Sequence, residues 1–419
     1  MALHTEDAPD HPAIESAYAW VRLVAAVLIG TIGGVAMWSV AVALPAVQAE
    51  FGVTRGTASL PYTLTMLGLA SGGIVMGRLA DKRGITTPLV IGALMLGVGY
   101  ALASMAQTMW QFVLAQGLLI GALGGSTTFG PLVADISLWF KRRRGIAVAL
   151  VASGNYAAGA IWPPLLTYAI ELYGWRPTYI GVGAICTATM LPLILLLRRA
   201  PPPQPPPTLA EVGRTTAEAG RPLGFHRNAL QALLMLAGVA CCVGMSMPQV
   251  HLVAYCGDLG YGLKNGAQML SLMLIGGVIS RLVSGYISDR IGGLAALAIG
   301  SSLQAIMLCF FLPFDGLSAL YLVAALFGLA QGGIVPSYAI IVRDLYPAAE
   351  AGTRVSAVLM STVAGMALGG WLSGLIYDWS GSYQAAFLNG IAWNVLNIAI
   401  ALELIRRSAG GTRAAPVAA

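Results

Sequence analysis

Twelve apolar runs divide this chain, separated by short polar stretches. They lie near residues 22–47, 58–80, 87–106, 111–139, 145–171 and 177–198, and then near 228–256, 265–289, 293–313, 317–342, 352–376 and 383–405. About 20 apolar residues in a helix cross the hydrocarbon core of a bilayer, so each run is long enough to span it. An open strand would leave its backbone groups unsatisfied in lipid, which leaves helix as the reading. The pattern predicts an all-α polytopic membrane protein with twelve transmembrane helices in two six-helix, pseudo-symmetric halves. Residues 1–198 form the first half, 199–227 a linker and 228–419 the second half. The linker begins RRAPPPQPPPTLAEVG at Arg198, where proline blocks continuation of the sixth helix.

Composition strengthens this picture. Of 419 residues 57% are hydrophobic and 10% charged, against roughly 25% charged in soluble proteins. The net charge of +6 is no nucleic-acid signal, because the basic residues sit in short clusters between apolar runs. With both termini on one side, nineteen of the 23 lysines and arginines fall on that side. Arg55, Arg176 and Lys264 fall on the other, and Arg281 on neither. Positive charge marks the cytoplasmic side, so both termini are expected in the cytoplasm of a multi-pass cell-membrane protein. The N-terminal stretch lacks a basic region ahead of its apolar run, so the first run reads as an uncleaved anchor. Five cysteines form no CxxC pair and no ligand spacing with the histidines, so no metal, disulfide or cofactor is expected. The 52 glycines suit close helix packing.

An internal repeat underlies the two halves. GRLADKRG, Gly77–Gly84, follows the second run, and GYISDRIG, Gly285–Gly292, follows the eighth, 208 residues later. The same offset aligns GGSTTFG at Gly124 with GGIVPSY at Gly332. Parallel repeats of this kind relate the halves of one large transporter fold. GRLADKRG resembles the signature loop of the major facilitator superfamily, and that resemblance extends over essentially the whole chain. It implies a conformational role for Gly77, Asp81, Lys82, Arg83 and Gly84, with Asp289 and Arg290 as their counterparts, in locking the halves in alternating states.

Charge inside a span is costly and is by default a functional hypothesis. Arg281 lies eight residues before Asp289 at the end of its run, which places it ~12 Å deep by helical rise. A guanidinium there suits a substrate carboxylate; a permanent ion pair with a residue such as Asp135 is the other reading. Asp135 itself either answers loop arginines such as Arg78 or carries protons. His251, the only histidine in a run, follows Pro248, where a helix break or kink is expected; it suits proton coupling or a hydrogen bond to substrate, or is simply interfacial. Asn155, Tyr156 and Tyr338 are the further candidates for an amphipathic cavity, beside Thr127, Thr128, Phe129, Gln331 and Trp38.

Around Arg281 the sequence ISRLVSGYISDRIG resembles the eighth helix of the oxalate–formate antiporter and monocarboxylate transporter branches. There an arginine four residues before a glycine binds the substrate carboxylate; here these are Arg281 and Gly285, with Leu282 where proline is frequent. WFKRRRGIAVALVASGNYAAG, from Trp139, is similar to their helix four–five junction. The helix-eleven lysine of the oxalate carrier, a second fixed charge, is missing from SAVLMSTVAGMALGGWLSG, and the first run lacks the lysine of animal monocarboxylate carriers. Ala115 replaces the arginine that drug-antiporter branches place before the glutamine of LAQGLLIGALGG. The expected function is therefore secondary transport of a small organic anion, a lactate- or pyruvate-type monocarboxylate with proton symport, by a monomer in the bilayer. The alternatives are an exporter of hydrophobic or drug-like compounds, an organic-anion antiporter, or a transporter-like sensor. No nucleophile–base set or phosphate loop points to an enzyme.

Overall fold

The computed structural model describes residues 12–202, 222–346 and 348–411. Among them every regular element is helical, and twelve helices are long and apolar enough to cross a membrane. In chain order these are α1 Ala17–Phe51, α2 Arg55–Arg83, α3 Thr86–Ser104, α4 Met109–Ile136, α5 Arg144–Tyr173 and α6 Trp175–Leu195. The second set is α7 Arg227–Asp258, α8 Leu263–Ile291, α9 Gly293–Phe310, α10 Leu317–Leu345, α11 Ala348–Ser380 and α12 Tyr383–Gly411. Most of the predicted linker, 203–221, lies outside the described residues.

The ends are set by local chemistry. Ser16 and Thr54 cap α1 and α2 by accepting from the backbone N–H of Ala19 and Thr57, and Thr108 with Gln111 forms a capping box on α4. The two copies of the repeat end alike: Gly84 closes α2 at φ 78° and Gly292 closes α8 at φ 83°, where a side chain would be strained. Among the described residues the regular α-helix is interrupted in three spans. α1 changes course at Gly34, α10 at Gly332 and Gly333, and α4 runs as a π-helix over Ala115–Gly124 and a 3₁₀ turn over Gly125–Thr128. α7 is not broken at Pro248 and stays helical through it.

The helix ends collect on two faces. At the terminal face the starts of α1 and α7 lie beside the ends of α4, α6 and α12. Glu15 N–H donates to the Trp139 carbonyl at 2.9 Å, and Arg407 lies 4.2 Å over the Phe225 ring. At the distal face the end of α1 is tied to the start of α6: Glu50 accepts from Trp175 Nε1 and pairs with Arg176 at 2.7 Å. The two sets of six helices meet along two antiparallel seams, α2 with α11 and α5 with α8. The first seam is tight at the distal end. A Cβ on Gly374 would come within 2.9 Å of the Arg55 carbonyl, and one on Gly370 within 2.9 Å of the Tyr62 ring. Farther along α2, Gly77 has nothing within 4 Å of the same position, nor has Gly285 on α8. The halves are thus in close contact at the distal face, while Gly77 and Gly285, toward the terminal face, border open space.

Candidate functional site

Arg281 sits on α8 at the last hydrogen bond of the α5–α8 seam, facing the space between the halves. Its Nη1 donates to the Ala152 carbonyl at 2.9 Å, and its guanidinium lies 4.3 Å over the Tyr156 ring. Nε is buried and has no hydrogen-bond partner, and among the described residues Arg281 makes no ion pair. Tyr156 can lie flat against α8 because Gly277, one turn before Arg281, has no side chain; a Cβ there would sit 2.5 Å from Tyr156 Cε1. Gly277 is a site residue that the sequence reading missed. Its signal was a glycine four positions ahead of the arginine, on the same helix face.

Magnitudes indicate what the surroundings of Arg281 lack. Stacking on tyrosine contributes up to about 2 kcal/mol when desolvated. Withdrawing a guanidinium from water costs several kcal/mol. The half-buried Arg281 thus has one carbonyl and one ring but no carboxylate, and its Nε has no acceptor; a carboxylate could complete it as a bidentate partner. Asn155 borders the same region from the other side: its carbonyl accepts from Trp38 Nε1 at 3.1 Å, and its Nδ2 meets Met37 Sδ at 3.6 Å. Trp38 also packs against Gly159, so the bend of α1 at Gly34 is held on α5 beside Tyr156.

Other candidates lie elsewhere. Asp135 pairs neither with Arg78 nor with Arg281 but with Arg22, at 2.7 and 2.8 Å through both oxygens. Arg22, read from the sequence as a flanking charge, is fully buried inside α1; Arg281 is therefore not the sole arginine inside a span. Tyr338 is buried and donates to Asn397 Oδ1 at 2.8 Å, which ties α10 to α12 within the second half, away from the seam. His251 is fully buried near the distal face, with Nε2 2.8 Å from the Gly370 carbonyl and Nδ1 3.1 Å from the Tyr383 hydroxyl. Asp81, Lys82 and Arg83 are exposed at the terminal face, and Arg290 stacks 4.5 Å over the Tyr286 ring. The side chain of Asp289 lies outside the described residues.

The distal contact between the halves is a second polar cluster, and the sequence reading counted only its charge. Arg55, 8% exposed, pairs with Asp258 on α7 at 3.2 Å and donates to the Tyr383 hydroxyl at 2.7 Å. Its guanidinium lies 4.7 Å over the Tyr377 ring. Asp378 on α11 accepts from the backbone N–H of Arg55 and of Gly56, both at 2.7 Å, at the N-terminus of α2. Three elements of one half thus grip one helix end of the other. The available signal was a lone arginine after an N-cap, with acids at the matching ends of two distant helices.

The profile described as Major Facilitator Superfamily matches residues 26–324 and 269–417. The chain belongs to this superfamily. Among similar proteins, monocarboxylate transporter 13 of Rattus norvegicus is 27% identical over 325 residues, covering 76% of this chain and 72% of that protein. Monocarboxylate transporter 11 of Mus musculus is 25% identical over 399 residues, 89% of this chain and 84% of the relative. The MFS-type transporter pynF of Aspergillus niger is 26% identical over 279 residues, covering 66% and 62%. Of solved structures, a bacterial homolog of the human lysosomal transporter Spinster in an inward-facing conformation superposes with a TM-score of 0.72 at 14% identity, covering 97% of this chain and all of that one. The superfamily member described here is therefore a multi-pass membrane transporter and not an enzyme.

Proposed function

We propose that this chain moves a small organic anion, a monocarboxylate of the lactate or pyruvate type, by alternating access with proton symport. The observation that carries the reading is Arg281, anchored on Ala152 and Tyr156 with a buried Nε that no protein group satisfies. One fixed cation without a second matches one carboxylate, and similarity to monocarboxylate transporters 13 and 11 supports the same class. Tyr156 orients the guanidinium, and Asn155 and Trp38 border the bound anion. In this reading the terminal face is cytoplasmic, by its excess of basic residues. The Arg55 cluster then shuts the outer mouth while Arg281 is reached from the cytoplasm. Gly77, Asp81, Lys82, Arg83, Gly84, Asp289 and Arg290 would meet the facing half when the cytoplasmic mouth closes. Asp135 is engaged by Arg22, so His251 is the stronger site for the coupled proton. The protein works as a monomer, with the six-helix halves at 1–198 and 228–419 rocking about the site.

The test is counterflow in proteoliposomes, with labelled mono- and dicarboxylates at two pH values. Monocarboxylate exchange is expected in the native protein and not in Arg281→Ala or Arg281→Lys. Normal exchange by Arg281→Ala would sink the assignment, and efflux of hydrophobic compounds indifferent to that change would favour the exporter alternative.

A further inference from the structure

We propose that proton uptake by His251 releases the distal closure, so that this imidazole sets which mouth of the transporter is open. The inference rests on the transporter reading for its two alternating states but not on the identity of the substrate.

Hydrogen-bond direction carries the argument. The Gly370 carbonyl 2.8 Å from Nε2 can only accept, so Nε2 bears a hydrogen. In a neutral ring Nδ1 is then bare and accepts the Tyr383 hydroxyl hydrogen at 3.1 Å. The same hydroxyl oxygen accepts from Arg55 Nη1 at 2.7 Å. One directed chain therefore runs from the guanidinium that grips Asp258, through Tyr383 and His251, to the backbone of α11. Gly370, where it ends, lies against Tyr62 of α2 on the seam that must part when the distal mouth opens.

Adding a proton to Nδ1 turns the acceptor into a donor. Imidazolium and guanidinium would then both point at one phenolic oxygen, and the displaced hydroxyl hydrogen would lose its acceptor. The charged and titratable groups around the ring are Arg55 from α2, Tyr383 from α12, Tyr377 and Asp378 from α11, and Tyr255 and Asp258 from its own helix. Both carboxylates are engaged, Asp378 by the backbone N–H groups of Arg55 and Gly56, Asp258 by the guanidinium itself. A second buried positive charge there meets desolvation and a like charge together. The shut state thus rejects the proton, and by linkage the proton rejects the shut state. Acid shifts molecules toward distal-open and alkali toward distal-shut, by up to tenfold for each unit of pKa separating the two states.

Spin labels at Tyr173→Cys and Trp379→Cys, both exposed at distal helix ends of opposite halves, report the opening with no substrate present; exposed Cys309 is replaced by serine. From about pH 8 to about pH 5, across the histidine range, the long-distance population should grow about fivefold or more. His251→Phe should flatten that response. Tyr383→Phe, which keeps the imidazole and cuts the chain, should weaken it in a protein that still elutes as a folded monomer. A distance distribution indifferent to pH in the native protein, or a response unchanged in both variants, overturns the proposal. Absence of carboxylate exchange would instead strike the substrate reading and leave this measurement standing.

Discussion

Two arginines, Arg22 fully buried and Arg281 half-buried, lie inside membrane-spanning helices at the terminal half of the molecule, and the fold treats them in opposite ways. All three guanidinium nitrogens of Arg22 are engaged: Nε and Nη2 on Asp135, and Nη1 on the carbonyls of Leu197 and Arg199 and on the Tyr18 hydroxyl. The Trp139 ring lies 4.5 Å from its guanidinium. Arg281 has the ring and one carbonyl but no carboxylate. Charge in a span is therefore not in itself a sign of a binding site. What separates structure from site is whether the protein supplies the whole counter-environment or leaves part of it to a visitor. Arg22 stitches α1 to the ends of α4 and α6 within one half, whereas Arg281 lies on the seam between halves, where a complete set of partners would resist movement.

Exchanging the consequences of the two arginines tests that distinction. Arg281→Ala is expected to abolish carboxylate exchange, since losing a buried charge pair costs about 2–5 kcal/mol of binding, while its melting temperature in detergent stays near native. Asp135→Ala should do the reverse. It strands a buried guanidinium at a cost of about 3–5 kcal/mol, read as a large loss of thermal stability with the KM of the surviving protein unchanged. Should Asp135→Ala instead fold normally and lose pH dependence, the acid carries protons and the contrast fails. Gly277→Ala, which drives a Cβ into the Tyr156 ring, should raise KM about tenfold through loss of roughly 1–2 kcal/mol of cation–π orientation. Tyr156→Phe keeps the ring and should stay close to native. A modest effect belongs to Tyr338→Phe: about 1 kcal/mol of stability from the lost bond to Asn397, and no change in substrate preference. Altered selectivity there would return Tyr338 to the site.

The number and bounds of the spans were legible because lipid imposes one solution on any long apolar run. The repeat was legible because its copies keep the same order of glycine, acid and base. Arg281 stood out as a charge in apolar surroundings, and Tyr156 as an aromatic at mid-depth. What could not be read was pairing. Arg22 and Asp135 are 113 positions apart, and Arg55 and Asp258 are 203 apart, so only the tertiary fold brings them together. His251 was singled out for its chemistry, but its partner Tyr383 lies 132 positions away and sets it beside the Arg55 cluster. Tyr338 looked like a lining residue for want of any view of Asn397.

Glu50 and Asp258 are separated by the spacing that relates Gly77 to Gly285, so they are the same place in the two copies of the repeat. Each closes the first helix of its half with an acid bound to an arginine. Glu50 takes Arg176 from its own half, whereas Asp258 takes Arg55 from the other. One copy is riveted and the other is a clasp. A molecule built from two like pieces can move only if some matched joints are made permanent and others undone in every cycle, and here a single change of neighbour divides those duties.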